Sequence, residues 1–199
     1  MTSATATPRY VRCLAAAILL AGCRYSTPFA PVRAVDLVHE FDRADKRPPV
    51  GFAITARDVD GASRAVIAAP VPSRLTMELP LPRHGVLRAR AAVEMPDERV
   101  APPAIRLRIG VSDQRIYEGV TELVLPSEPR RWTDVRADLS SYAGWKWSLF
   151  YRPDRMTWRV VLAVDALAGI PATVLWASPE IVTDTGSARE YAVRRQRLR

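Results

Sequence analysis

Histidine, cysteine and lysine are almost missing from these 199 residues, which hold two of each. Both cysteines, Cys13 and Cys23, lie close to the N-terminus. The chain after them therefore has no thiol for catalysis, metal ligation or a disulfide, and its fold must rest on a packed core. A Ser-His-Asp triad would have to recruit His39 or His84, and Pro82-Arg83-His84-Gly85 reads first as a turn. There is no Gly-x-Ser-x-Gly elbow, no glycine-rich phosphate loop and no HExxH. Asp58-Val59-Asp60-Gly61 has the first acidic positions of a calcium loop but neither its later ligands nor its closing glutamate, so an Asp-Gly turn is expected. Two carboxylates could meet in space for glycoside hydrolysis, but the acidic residues are scattered and the sequence pairs none of them, which leaves a hydrolase a distant third reading. The chain is expected to be no enzyme and to use no cofactor or metal.

Long hydrophobic runs are missing too. Cys13–Ala21 (CLAAAILLA) is apolar throughout, but a bilayer-spanning helix needs about 20 such residues. Preceded by Arg9 and Arg12, the run suits the apolar region of a signal peptide. The residues that follow, Leu20-Ala21-Gly22-Cys23, resemble the lipobox of bacterial lipoproteins. That resemblance implies diacylglycerol on the Cys23 thiol, cleavage between Gly22 and Cys23, and acylation of the new N-terminus. Two or more acyl chains are what stable anchoring requires. The alternative is ordinary secretory cleavage near Ala21. The expectation is a signal peptide over 1–22 and an extracytoplasmic protein held on the cell envelope by Cys23. Arg24 rather than Asp follows Cys23, which points to the outer membrane where the organism has one. Cleavage would leave 177 of the 199 residues, the length of one domain.

The net charge of +8 suggests nucleic acid or a membrane surface, and its distribution argues against the first. With Arg9 and Arg12 set aside, +6 remains, and Thr185–Arg199 carries +4 of it through five arginines against Glu190. The segment between holds only +2. No nucleic-acid partner is expected. The tail, 185–199, shows no apolar periodicity strong enough to pack, so a frayed helix or a disordered basic arm is expected. Contact with anionic headgroups or an acidic partner is its functional alternative.

Between tail and signal, Arg24–Arg33 has two prolines and no periodicity, which makes 23–34 a tether and 35–184 the folded domain. In that domain apolar residues alternate, and turn residues recur every ten to fifteen positions. Leu87, Ala89, Ala91, Val93 and Met95 share one face against Arg88, Arg90 and Glu94. Ile105, Leu107, Ile109 and Val111 do so against Arg106 and Arg108. Val135, Ala137 and Leu139, then Trp147, Leu149 and Tyr151, then Trp158, Val160, Leu162 and Val164 repeat the pattern. Weaker strands are expected at Asp36–Phe41, Phe52–Ala56, Ala65–Ala69, Leu75–Leu79, Thr121–Leu125 and Thr173–Trp176. Nine to eleven short half-buried strands imply an all-β, two-sheet antiparallel sandwich of jelly-roll type. Trp132, Trp158 and Trp176 are expected core fillers.

Three segments carry a resemblance. Trp132, Asp138-Leu139-Ser140, Tyr142-Ala143-Gly144, then Trp147, Leu149 and Tyr151 follow one pattern. Ser73-Arg74-Leu75 through Pro82 to Gly85-Val86-Leu87, and Leu175-Trp176 through Pro179 to Ile181, fit beside it. Together they resemble galactose-binding-like β-sandwich modules of the kind found beside extracytoplasmic sulfatases. The resemblance implies a sandwich fold and supplies no catalytic constellation. No Cys-x-Pro-x-Arg sulfatase motif is present.

Recognition is the function that remains. Sugar-binding sandwiches stack sugars on exposed aromatics and grip anionic groups with arginine forks. The period-two phase turns Phe150 and Arg152 outward and leaves Trp145 at a turn. Arg88, Arg90, Arg106 and Arg108 would form one basic stripe if their strands pair. Neutralisation by acids such as Glu94, Asp134 and Asp138 across the strands is the competing outcome. The leading expectation is a non-catalytic, lipid-anchored sandwich that recognises carbohydrate, an anionic one included. A protein-interaction or structural envelope lipoprotein is the alternative, so the expected partners are the membrane through Cys23 and a polysaccharide or an envelope protein.

Overall fold

A computed structural model of the chain describes residues 30–97, 99–113, 116–142, 157–166 and 171–198. Among them are β1 (Val32–Asp36), β2 (Asp45–Arg47), β3 (Ala53–Val59), β4 (Ala62–Pro70), β5 (Ser73–Leu79), β6 (Val86–Glu94), β7 (Ile105–Ser112), β8 (Tyr117–Leu125), β9 (Thr133–Asp138), β10 (Trp158–Ala166), β11 (Thr173–Thr183) and one α-helix, α1 (Thr185–Arg197). The first sheet runs β3-β4-β11-β6-β9, with β1 also on β11, and the second runs β2-β5-β10-β7-β8. Every pairing is antiparallel. The chain is thus an antiparallel two-sheet sandwich, as its alternating pattern implies.

Period two makes the core. Leu87, Ala89, Ala91 and Val93 of β6 face inward from the first sheet, and Ile105, Leu107, Ile109 and Val111 of β7 face them from the second. Trp176 on β11 is 1% exposed at their centre. Each large aliphatic side chain withdrawn here from water contributes roughly 1.5–3 kcal/mol. The central strand β11 pairs with β6 along most of its length, while its other edge is shared. There β4 takes Thr173–Ala177 and β1 takes Glu180–Thr183. The changeover falls at Ser178-Pro179, where Ser178 has φ 45° and the register to β6 shifts. A proline has no N–H for a ladder, so it fits that break, and its carbonyl accepts from Leu37 N at 2.9 Å.

Several expectations need correction. The strand expected at Asp36–Phe41 is β1, which starts at Val32 inside the segment read as tether; Leu37–Glu40 is a turn and Phe41–Arg43 a 3-10 turn. The tail is a 13-residue helix that packs. Asp184 caps it by accepting from Ser187 N at 2.9 Å. Tyr191 buries its ring, and Arg195 pairs with the buried Glu40. Of the three tryptophans only Trp176 is a core filler. Trp158 is half-buried at the core's rim, edge-on to Tyr142 at 5.8 Å, and Trp132 packs on the outside of the first sheet. The expected strand around Trp147–Tyr151 lies outside the described residues. Asp58–Gly61 is a plain hairpin turn, with Asp60 and Gly61 at φ 55° and 78°, and His84 (φ 52°) likewise sits in a turn.

Candidate functional site

The four arginines expected to form a stripe do not share a surface. Arg88 and Arg90 lie on β6 in the first sheet, Arg106 and Arg108 on β7 in the second, so the two pairs face outward on opposite sides of the sandwich. Neutralisation is the outcome for three of them. Arg90 pairs with Asp60 and, at 3.2 Å, with Asp134. Arg106 meets Glu122 at 3.2 Å and Arg108 meets Asp165 at 2.5 Å. Arg88 sits in register between Arg136 and Glu180, with no ion pair among the described residues. Trp145, Phe150, Arg152 and Cys23, the residue expected to carry the lipid, lie outside the described residues.

Part of the outer face of the first sheet is covered, while a hollow of about 360 Å³ bordered by Arg88, Arg136 and Glu180 lies farther along the same face. Val59, Val66, Ala68, Leu175 and Ala177 form a second apolar cluster on the covered part, and Trp132 covers it, donating its indole N–H to the Asp58 carbonyl at 3.2 Å. Beside it Arg57 grips Glu94 with two hydrogen bonds, 3.1 and 2.9 Å, and Arg130 adds a third at 3.3 Å. Those charge-assisted bonds hold the Glu94 carboxyl below the usual carboxylate range, against the burial that would raise it.

The outer face of the second sheet is open. Its central strand β10 turns Arg159, Val161, Ala163 and Asp165 outward, so small residues make the middle of the floor. From β8 the Tyr117 ring lies across β7 at Gly110, where a Cβ would stand 2.5 Å from it. Only glycine leaves room for the ring there. From β5, two strands away on the far side of β10, the Arg74 guanidinium comes over the same ring at 5.2 Å from its centre, within cation–π range. Tyr117 stays 40% exposed.

Two hollows of about 530 and 550 Å³ adjoin here and share Arg47, Arg74 and Tyr117. Arg43 and Arg159 border the first, Arg108 and Asp165 the second. The carboxylates are fewer. Asp45 pairs with Arg47 at 3.2 Å, and Glu78 accepts from Thr157 at 2.6 Å and lies 3.8 Å from Arg159. Arg43 and Arg74 meet no carboxylate at ion-pair distance among the described residues. The groove thus offers one planar ring, several guanidinium forks and an excess of positive charge. No three metal-ligating side chains converge among the described residues, and no described helix is long and apolar enough to cross a membrane.

Sequence reasoning found Arg108 and missed Tyr117, Arg74, Arg47 and Arg43. Tyr117 has the same parity as Thr121, Leu123 and Leu125, so strict alternation sends it inward. A bulge reverses it: Ile109 pairs with Thr121 but Gly110 pairs with Gly119, leaving Val120 as the extra residue. The signal was present in Gly110 and Gly119, since a glycine inside a strand marks a bulge or a close approach.

No protein-family model matches the chain, and no curated protein does. Among solved structures it is similar to the CBM22-1 xylan-binding domain from Paenibacillus barcinonensis Xyn10C, at 12% identity and TM-score 0.48, over 80% of this chain and 99% of that one. It is also similar to CsCBM6-3 from Clostridium stercorarium, solved with cellobiose, at 13% identity and TM-score 0.39, over 76% and 92%. The C-terminal CBM6 of LamC from Zobellia galactanivorans follows at 13% and 0.37, over 71% and 99%. At these identities and TM-scores the likeness brings no ligand and no residue role to this chain.

Proposed function

We propose that the chain is a non-catalytic, lipid-anchored envelope protein whose second sheet recognises carbohydrate, with a preference for acidic saccharides. One observation carries the recognition: the half-exposed Tyr117 ring, resting against Gly110 and flanked by arginines in an open groove. A ring in that position offers a sugar an apolar platform. Guanidinium forks around it match carboxylate or sulfate geometry, and Arg43 and Arg74 meet no carboxylate at ion-pair distance among the described residues. The lipobox at Leu20–Cys23 supports the anchor. The expectation that Trp145, Phe150 and Arg152 touch the saccharide belongs to the same reading.

A glycan array with neutral and acidic saccharides tests it. The expected hits carry carboxylate or sulfate, lose affinity with added salt, and weaken in Tyr117→Ala and Arg74→Ala. Trp145→Ala and Arg152→Ala are compared on the same array. An array without hits, or hits indifferent to Tyr117→Ala, overturns the groove as the site. The anchor is tested separately: wild-type protein should incorporate labelled fatty acid and Cys23→Ala should not.

A further inference from the structure

The two ends of the sandwich domain meet at one place. β1 pairs Val32 with Thr183, and α1 begins two residues later at Thr185. Val32 therefore stands beside the first turn of α1, and Cys23 precedes it by nine residues in the sequence, a length that spans about 30 Å at most. The helix turns one side inward, where Ser187 and Tyr191 are buried and Arg195 donates to the Tyr191 hydroxyl at 3.2 Å while pairing with Glu40. Its other side carries Arg189, Val193 and Arg197, spaced i, i+4, i+8 and all exposed. The one acid on the helix, Glu190, is engaged by Arg83 at 3.5 Å and Arg194 at 3.8 Å. Neither Arg189 nor Arg197 has a carboxylate partner among the described residues.

We propose that this outer face of α1 rests on anionic phospholipid headgroups, with Arg189 and Arg197 on phosphates and Val193 at the interface between them. The placement rests on the reading of Cys23 as the lipidated residue, because that residue sets the membrane within reach of the helix. Charge complementarity selects the occupant: the exposed stripe carries two guanidinium groups without a carboxylate partner among the described residues, which an anionic surface attracts. The face would orient the domain on its anchor and leave the saccharide groove on the second sheet to a separate partner.

The test uses the full chain as Cys23→Ser, which takes no lipid, and vesicles of phosphatidylcholine with or without phosphatidylglycerol. Binding is expected to favour the phosphatidylglycerol vesicles and to fall as salt is added. Arg189→Gln and Arg197→Gln should each weaken it about fivefold, the effect of one basic residue near an anionic surface, without moving the melting temperature. Comparing variants of one chain cancels any contribution of the apolar run Cys13–Ala21. Arg131→Gln is the control. It removes the same charge beside Arg130, whose N–H donates to the Val93 carbonyl at the end of β6 away from α1, and should change nothing. Equal partition into both vesicles, or an equal loss with Arg131→Gln, overturns the proposal. The anchor fails differently, by absence of fatty-acid label in the wild type, and the vesicle result then still judges the helix face by itself.

Discussion

On the outside of the first sheet, Arg57 and Arg90 alternate with small apolar residues, and on the outside of the second, Arg74, Arg108 and Arg159 do the same. The residue types match, yet the first surface is covered over its β3-β4 side, leaving a hollow at Arg88, and the second is open. On the first, Glu94, Asp60 and Asp134 stand on neighbouring strands or turns within reach of the guanidinium groups, and Trp132 folds back over the apolar strip. On the second, the cross-strand partner of Gly110 is another glycine, the bulge turns Tyr117 outward, and cations outnumber the acids lining the groove. What an outward arginine does is therefore decided by the residues that other strands and turns place beside it. Arg57 and Arg90 are held in ion pairs on the first face, whereas Arg43 and Arg74 on the second meet no carboxylate at ion-pair distance among the described residues.

The tryptophans test this contrast with the largest effects. Trp176→Ala removes the largest fully buried side chain among the described residues, and should cost about 3–5 kcal/mol by chemical denaturation. Trp132→Ala strips only the cover from the outer cluster, a partly exposed contact, and about 1–2 kcal/mol is expected. Neither should alter saccharide affinity beyond what unfolding explains. If Trp132→Ala costs nothing, the first face is not covered by it, and the two faces differ less than described.

On the open face the same kind of change should spare stability and remove binding. Tyr117→Ala is expected to weaken saccharide binding by about 1–3 kcal/mol, by analogy with single-aromatic stacking on other ligands, with the melting temperature nearly unchanged. Gly110→Ala is the sharper variant, since it alters no group that could touch the ligand. Its Cβ would collide with the ring, and the half-exposed tyrosine can swing away at little cost. Titration should show most of the Tyr117→Ala loss. Full affinity in Gly110→Ala would mean that the ring so placed is not what the ligand uses.

The fold was legible where alternation was unbroken. β6, β7, β9 and β10 each read correctly to the residue face because their period-two runs contain no insertion. Legibility failed where local irregularity or long-range pairing intervened. The bulge at Val120 inverted the phase of Tyr117 and hid the groove. β1 has little apolar pattern of its own and is a strand because β11 leaves its edge free past Ser178. α1 looked unable to pack because its buried side offers Ser187, Tyr191 and Arg195 rather than aliphatics. It docks through one ring and an ion pair with Glu40, a residue far away in sequence. Outward arginines were visible as such, but which carboxylate each would meet depends on sheet order, which alternation does not encode.

The smallest effect expected concerns the clasp on the first face. Glu94→Gln keeps the shape but removes the charge that Arg57 and Arg130 share. Arg57 and Arg130 are both partly in solvent, so the loss at neutral pH should be modest, about 1 kcal/mol. The pH dependence has a definite sign. The native carboxyl titrates below its ordinary range, chiefly through the Arg57 hydrogen bonds, so the folded state binds fewer protons here than the unfolded one. Its contribution is then fully present above the ordinary glutamate value of about 4.3 and lost as pH falls through the lower native value. Wild type and Glu94→Gln should therefore converge in stability as the pH drops through that window, and groove binding at neutral pH should be the same in both. A stability gap that stays constant into acid would show that Glu94 acts by packing rather than charge. A fall in saccharide affinity would show that the first face and the second are coupled through the core between them.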